Sequence, residues 1–339
     1  TVASQQMGRR PNELRVNGTE NLVAVISWRR ARLDIALITA DNKIAFRDQI
    51  PLTEEEDKVD KITSTFFNIM KPKVGDRRIM GLCIIIPGII DAENKRILST
   101  VIGVGYSDPV VQRFEEAFHD YPFCLLNDTA CFAYAEYVFA NITEPNFAYI
   151  NVSKGVGACL FANGKMLRGA GSNATQFGHF SVDRNGPLCA CGNHGCVERV
   201  VGENALTERA EACGIDLTRF AGRKPLYCDI GAMAEDGDAH AKELIKDLAV
   251  DLSFAISNLI TLFNPSLVVI GGMGVNLGPF FLSNIRDEVQ NSGFKEFVSN
   301  TWIQYSTLGL DSELGGAARY YIDHYYDFFE QMQGGLYAD

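Results

Sequence analysis

The sequence predicts an α/β protein of two domains similar in design, and three observations carry that expectation. A meander of apolar strands opens the chain and gives way to alternating strands and helices. The same order starts again near residue 147. Several strands end in glycine or proline turns or in an Asn-Asp pair, the kind of edge where open α/β sheets hold small ligands. At 339 residues, 47% of them hydrophobic, the chain is long enough for two cores.

The elements follow in order. "NLVAVISWRRARLDIALITADNKIAFRDQIPL" reads as three strands by its alternating apolar residues, with "TADNK" as a turn between the second and third. "EEEDKVDKITSTFFNIMK" reads as a helix with Val59, Ile62, Phe66 and Ile69 on one face. "IMGLCIIIPGIID" is a near-continuous apolar run, the pattern of a buried parallel strand ending in a Pro-Gly turn. A helix over 109–119, the strand "FCLLND" and the helix "TACFAYAEYVFA" complete the first half.

"FAYINVSKGVGACLFANGKMLRG" then restarts the pattern, with a Gly-x-Gly between two strands and an Asn-Gly hairpin turn. Helices follow over "ENALTERAEAC" and the long "DAHAKELIKDLAVDLSFAISNLITLF". "NPSLVVIGGMGVNLG" is a buried strand running into glycines, and strand "TWIQYSTLG" and helix "GGAARYYIDHYYDFF" close the chain. The expected division is a linker remnant over 1–20, a first α/β domain over 21–140 completed by a helix at 315–330, and a second over 141–314.

A formal net charge of -11 argues against this chain alone gripping nucleic acid, because phosphate binding needs clustered Lys and Arg. No apolar run approaches about 18 residues and no signal peptide opens the chain, so the expectation is a cytoplasmic protein with no membrane contact. Six of the nine cysteines lie scattered, mostly in apolar contexts such as "GLCIII", which fits buried free thiols in a reducing compartment.

The other three stand in "GHFSVDRNGPLCACGNHGCVE". Cys189, Cys191 and Cys196, with His179 ten residues upstream of the first, offer three thiolates and an imidazole. That is the closed tetrahedral set of a structural zinc site, with no open position for water. The alternative is a cluster of unrelated buried thiols. His179 is preferred to His194 as fourth ligand, since His194 lies two residues from Cys196 and strains the chelate.

Asn127-Asp128 stands where a strand ends and a helix begins. An Asp there either caps the helix or acts as a base toward a bound hydroxyl. Glu198, two residues past Cys196, is either simply exposed or held rigidly enough to take two neighbouring hydroxyls. Gly155-x-Gly157 and Gly271-Gly272 follow strands, and each either cradles a phosphate or makes a tight turn.

Together these residues resemble the ROK family of repressors, open reading frames and sugar kinases, over nearly the whole chain. The resemblance rests most on the loop Cys-x-Cys-Gly-x-x-Gly-Cys followed by x-Glu. It implies a two-domain actin-like ATPase fold of the sugar kinase and ribonuclease H type, with a structural zinc loop over 179–198. It also implies a monosaccharide or amino-sugar ligand held by Asn127, Asp128, Gln176, His179 and Glu198, with His179 doubling as the fourth zinc ligand. In family kinases the residue matching Asp128 is the base, and ATP with magnesium is the cofactor.

Two departures stand out. Gln176 replaces the family's Glu, and a neutral amide donates as well as accepts. Family kinases open with an Asp-x-Gly-Gly-Thr phosphate hairpin, and here Ser27-Trp28-Arg29-Arg30-Ala31 stands in its place. "MGRRPNELRV" at 7–16 is similar to the linker that follows the winged helix-turn-helix of family repressors. The expectation is therefore the sugar-sensing region of a ROK-type regulator, a homodimer or homotetramer that reaches DNA only through an N-terminal head absent from this chain. The alternatives are an ATP-dependent hexose or N-acetylhexosamine kinase, and a headless sugar-binding protein with neither activity.

Overall fold

The computed structural model describes residues 18–91, 94–100, 109–170 and 174–326. The linker-like segment at 7–16 and the last residues of the expected closing helix, 327–330, lie outside them.

Strands β1 (Asn21–Trp28), β2 (Arg32–Thr39) and β3 (Ile44–Pro51) form the expected meander. The turn between β2 and β3 is made by Asn42, at φ 63°, a conformation Asn tolerates better than most residues. Helix α1 (Lys58–Thr65) starts later than the periodicity suggests. Asp57 caps it by accepting from the Asp60 amide, so the preceding glutamates stay outside.

β4 (Arg78–Ile86) is the apolar run, and β5 (Gly88–Asp91) pairs with β6 (Arg96–Thr100) in a separate ribbon. What reads as one strand with a terminal turn is thus two strands broken at Pro87. α2 (Val110–Ala117), β7 (Phe123–Asn127) and α3 (Asp128–Phe139) follow. The first sheet has the order β3-β2-β1-β4-β7, with β4 and β7 parallel to β1.

The second half contains β8 (Phe147–Val152), β9 (Val156–Ala162), the short β10 (Lys165–Met166) and the helices α4 (Val197–Val201), α5 (Glu203–Ala212), α6 (Tyr227–Glu235) and α7 (Ala239–Phe263). β11 (Leu267–Gly271), α8 (Gly278–Gln290), α9 (Lys295–Val298) and β12 (Trp302–Tyr305) complete it. Its sheet has the order β10-β9-β8-β11-β12. Each sheet places its antiparallel meander on one side and two parallel strands on the other, so the internal repeat is real at the level of topology.

α10 (Ser312–His324) then returns to the first sheet. The Tyr321 hydroxyl donates to the Met80 carbonyl on β4 at 3.1 Å. α3 and α10 lie side by side, and their buried faces join β1, β4, β8 and β11 in one core that includes Val23, Val25, Phe147, Tyr149, Leu314 and Tyr321. The alternate residues of β1, Leu22, Ala24 and Ile26, face the opposite way into a second core with Ile62, Phe66 and Phe114. A third core packs Ile150 and Val268 against α7 and α8. Gly316 lets the two central helices touch: a Cβ there would stand 2.0 Å from the Cys131 carbonyl.

No helix among the described residues is long and apolar enough to cross a membrane. Of the six scattered cysteines, Cys83, Cys124, Cys131 and Cys159 are buried, whereas Cys213 is half-buried and Cys228 exposed.

Candidate functional site

Asn127 ends β7 and caps α3, its side-chain oxygen accepting from the Ala130 amide at 3.0 Å. Its amide nitrogen donates to the Gly88 carbonyl at 2.7 Å. Asn127 thus supplies the cap, and Asp128, the first residue of the helix, is turned away from that duty. Asp128 accepts from the Thr129 amide at 2.8 Å. Burial raises its carboxyl above the ordinary carboxylate value, while the Thr129 amide and the charge of Arg29 oppose the rise.

The second half approaches through Thr129. Asn151, near the end of β8, donates to the Thr129 hydroxyl at 3.1 Å, a buried contact between the central strand of the second sheet and the start of α3. Gly157 allows it, since a Cβ there would stand 2.6 Å from the Thr129 hydroxyl. Sequence reading missed Thr129 and Asn151, because nothing in either stretch marks them as partners.

Glu198 lies in the first turn of α4 and accepts from the Val156 amide at 3.3 Å. Gly155 makes room for it: a Cβ there would stand 2.4 Å from the carboxylate. Gly272 sits at φ 79°, and a Cβ there would meet the Asn151 side chain at 2.2 Å, while at Gly271 it would meet the Tyr149 hydroxyl at 2.1 Å. All four glycines thus sit against side chains of this chain.

Gly155→Ala should therefore separate binding from stability. The obstructed group is the tip of a flexible side chain, so the unfolding midpoint should stay near wild type while Glu198 is displaced. Calorimetric titration with the best-bound sugar should show affinity reduced at least about tenfold. Unchanged affinity would remove Glu198 from the ligand site.

Gln176 and His179 stand further along. Thr175, just before Gln176, holds φ 66°, a rare conformation for a β-branched residue, and its hydroxyl donates to the Ala158 carbonyl at 2.7 Å. Gln176 and His179 line a cavity of about 370 Å³ against α7, and Asn127, Asp128 and Glu198 are not part of that lining. The link between the two groups is Val156. Its amide meets Glu198, and its carbonyl lies 1.8 Å from where a Gly178 Cβ would stand.

His179, Cys189, Cys191 and Cys196 come together, their ligand atoms all within 4.8 Å of one another. Cys189 Sγ lies 3.6 Å from His179 Nδ1, and Cys191 Sγ lies 3.6 Å from Cys196 Sγ. A tetrahedron of zinc–sulfur bonds of about 2.3 Å has edges of about 3.7 Å, so the donor set and its spacing fit a closed metal site. His194 is elsewhere, exposed, with Nδ1 at 2.9 Å from the Gly186 carbonyl.

The hairpin between β1 and β2 is closed by the Arg29 amide donating to the Arg32 carbonyl at 2.9 Å. Arg29 turns inward. Its Nε donates to Asp34 at 2.7 Å, and another arm of the guanidinium pairs with Glu313 at the start of α10. Arg32 takes the other oxygen of Asp34 at 2.8 Å. Burial pushes the Glu313 carboxyl up to about 7 against the pull of Arg29. Sequence reading singled out neither Asp34 nor Glu313. The available signal was an aspartate in the middle of an apolar strand, "RLDIALI".

With this geometry in view, comparison with known proteins defines the class. The chain belongs to the ROK family, whose profile matches residues 27–323. It is 26% identical over 250 residues to the xylose repressor of Bacillus subtilis (strain 168), a match covering 74% of this chain and 62% of that repressor's length. Among solved structures, it is similar to a ROK family transcriptional regulator described as a homologue of the E. coli MLC protein. The TM-score is 0.77 at 24% identity, over 89% of this chain and 78% of that one. A ROK glucokinase from Streptomyces griseus, solved with glucose and AMPPNP, matches at TM-score 0.72 and 22% identity, over 88% of this chain and 98% of the other. The fold is the two-domain actin-like fold of ROK sugar kinases.

Proposed function

We propose that this chain is the sugar-sensing, effector-binding region of a ROK-type transcriptional regulator of carbohydrate metabolism. The observation that carries this reading is Arg29. A kinase of this fold needs backbone close to nucleotide phosphates and a metal held in line with the attacking hydroxyl. Here the matching hairpin carries side chains, and Arg29 fills the space at the sheet edge while pairing with Asp34 and Glu313. The repressors among its relatives support the same choice.

In this reading Asn127, Asp128 and Glu198 take the hydroxyls of a monosaccharide or amino sugar, and Gln176 and His179 close the site from the cysteine loop. Gly155, Gly157, Gly271 and Gly272 serve as turns. Zinc, held by His179, Cys189, Cys191 and Cys196, fixes the loop and leaves no open position for catalysis. The domain division is 21–140 with the closing helix, and 141–314. The whole regulator is a cytoplasmic homodimer or homotetramer, and it contacts DNA through a separate N-terminal head.

The kinase reading keeps one specific support: Asp128, half-buried where β7 meets α3, is a carboxylate at the end of a strand, the kind of position a general base takes. The two readings part in one assay. Wild type should bind one member of a panel of hexoses, pentoses and amino sugars by calorimetry, and Asp128→Ala should abolish that binding. Each hydroxyl left unpaired in a desolvated site costs roughly 1–3 kcal/mol. With ATP and magnesium at millimolar concentration, no sugar-dependent ADP should appear above background. Release at about 1–100 s⁻¹, the ordinary kinase range, would replace the regulator reading with the enzyme.

A further inference from the structure

One cluster of charge lies at the end of the first sheet, around Asp34 and Glu313, to which the resemblance gives no role, and near Asp128, to which it does. Arg29 leaves the end of β1. Asp34 stands on β2 directly opposite Ser27, with its side chain 3% exposed. Glu313 opens α10 with its side chain 1% exposed. Asp128 leaves β7, two strands from β1 across β4, near enough for the Arg29 charge to act on its carboxyl. Two carboxylates thus pair with one guanidinium, whose charge also reaches Asp128, and Arg32 lies outside on Asp34. The other titratable groups that face them, Cys131 and Tyr149, are kept neutral by burial.

The second oxygen of Glu313 is buried and within ordinary hydrogen-bond distance of no group among the described residues, although the nearby Ser27 hydroxyl favours the charged carboxylate. Such a set without a cation would be strongly unfavourable, since like charges out of water repel and each pays desolvation. Oxygen-only donors converging on one point are also the chemistry that holds a hard divalent cation.

We propose that Arg29 is an internal counter-cation for Asp34 and Glu313, occupying the place a divalent ion would otherwise take, and that its charge also holds Asp128 ready for its ligand. The ion-replacement part stands without any ligand, whereas the positioning part rests on the sugar-binding reading above. Arg29 acts through Asp128 and is a positioning residue.

The test uses the zinc-loaded chain at pH 8 and Mn2+ as the probe, followed by electron paramagnetic resonance. Wild type and Arg29→Lys should bind no Mn2+ above the scatter of surface sites. Arg29→Ala should gain about one site per chain, and Arg29→Ala combined with Glu313→Gln should lose it again. Sugar affinity should fall about tenfold in Arg29→Ala and recover with saturating Mn2+, while wild type is indifferent to the ion.

A folded Arg29→Ala that binds no more Mn2+ than wild type overturns the proposal. If that variant is too unstable to purify, its thermal midpoint in cell extract is compared with that of the double variant. Glu313→Gln must then restore part of the loss, and an additive or larger loss overturns the counter-cation role. A Mn2+ site in Arg29→Ala, with no sugar bound by any form, upholds the ion replacement and removes only the sugar reading.

Discussion

Removing the metal is expected to unfold the loop 179–198 and take the ligand site with it. The loop has little else to hold it. Leu188 is 62% exposed, and the chain there is tied by backbone contacts such as the Val182 amide to the Gly195 carbonyl at 2.9 Å and the Cys189 amide to the Asn193 carbonyl at 2.8 Å. Structural zinc in small peptides contributes about 10–16 kcal/mol, most of it realised as folding energy, which dwarfs a few hydrogen bonds of about 1 kcal/mol each. Cys196 is the residue before α4, so disorder of the loop reaches Glu198 two residues later.

Cys191→Ser is the clean probe, because Cys191 is exposed and its replacement leaves no hole in a core. The variant should lose about one zinc per chain by elemental analysis, unfold well below wild type and bind no sugar. A chelator should do the same to wild type. Wild-type midpoint and affinity in a metal-free protein would show that the four ligands are only a cluster of thiols and an imidazole.

Gly316→Ala is expected to be strongly destabilising for a single added methyl group. The added Cβ would lie 2.0 Å from the Cys131 carbonyl oxygen and 3.0 Å from the Ala135 amide nitrogen. Both are helix backbone and cannot rotate aside. Overpacking of this kind costs about 1–3 kcal/mol or more, against roughly 1 kcal/mol gained by replacing glycine with alanine in a helix. The shift falls on α3, whose first residue is Asp128, so ligand affinity should fall along with the midpoint. Gly315→Ala is the control, since its Cβ meets only the ring edge of Phe139 at 3.1 Å. Equal midpoints for the two variants would mean that α3 and α10 slide apart without cost.

Much of the architecture was legible in local patterns. Period-two alternation found β1, β2 and β3, and Asp238 and a continuous apolar stripe bounded α7. The cysteine spacing, with His179 upstream, already outlined the four-ligand set in the sequence. Helices α6 and α8 escaped notice, the second because its first turn reads Gly278-Pro279 after a run of glycines, which looks like loop. β5 was hidden behind Pro87.

The ligand edge was half legible. Asn127 and Asp128 stand out where a strand meets a helix. The partners of Arg29 do not, because the Arg29–Glu313 pair joins residues 284 positions apart and no local pattern encodes it. The glycines carried the same ambiguity. The position of Glu198 explains Gly155, and a φ of 79° together with the nearness of Asn151 and Ser153 explains Gly272.

The return of α10 to the first sheet also sets an order of events in time. A ribosome releases β1 ahead of the rest of both sheets, yet the helix that covers one face of that strand emerges only after the whole second sheet. Until then Val23, Val25 and Cys83 have no α10 against them, and the nascent first half presents an apolar face to its surroundings. The second half can close its own core of α7, α8 and β11 without waiting. Contacts of such long sequence separation slow folding, and the exposed interval is when aggregation competes. Chaperone demand during synthesis should therefore track the first sheet, although it is made first.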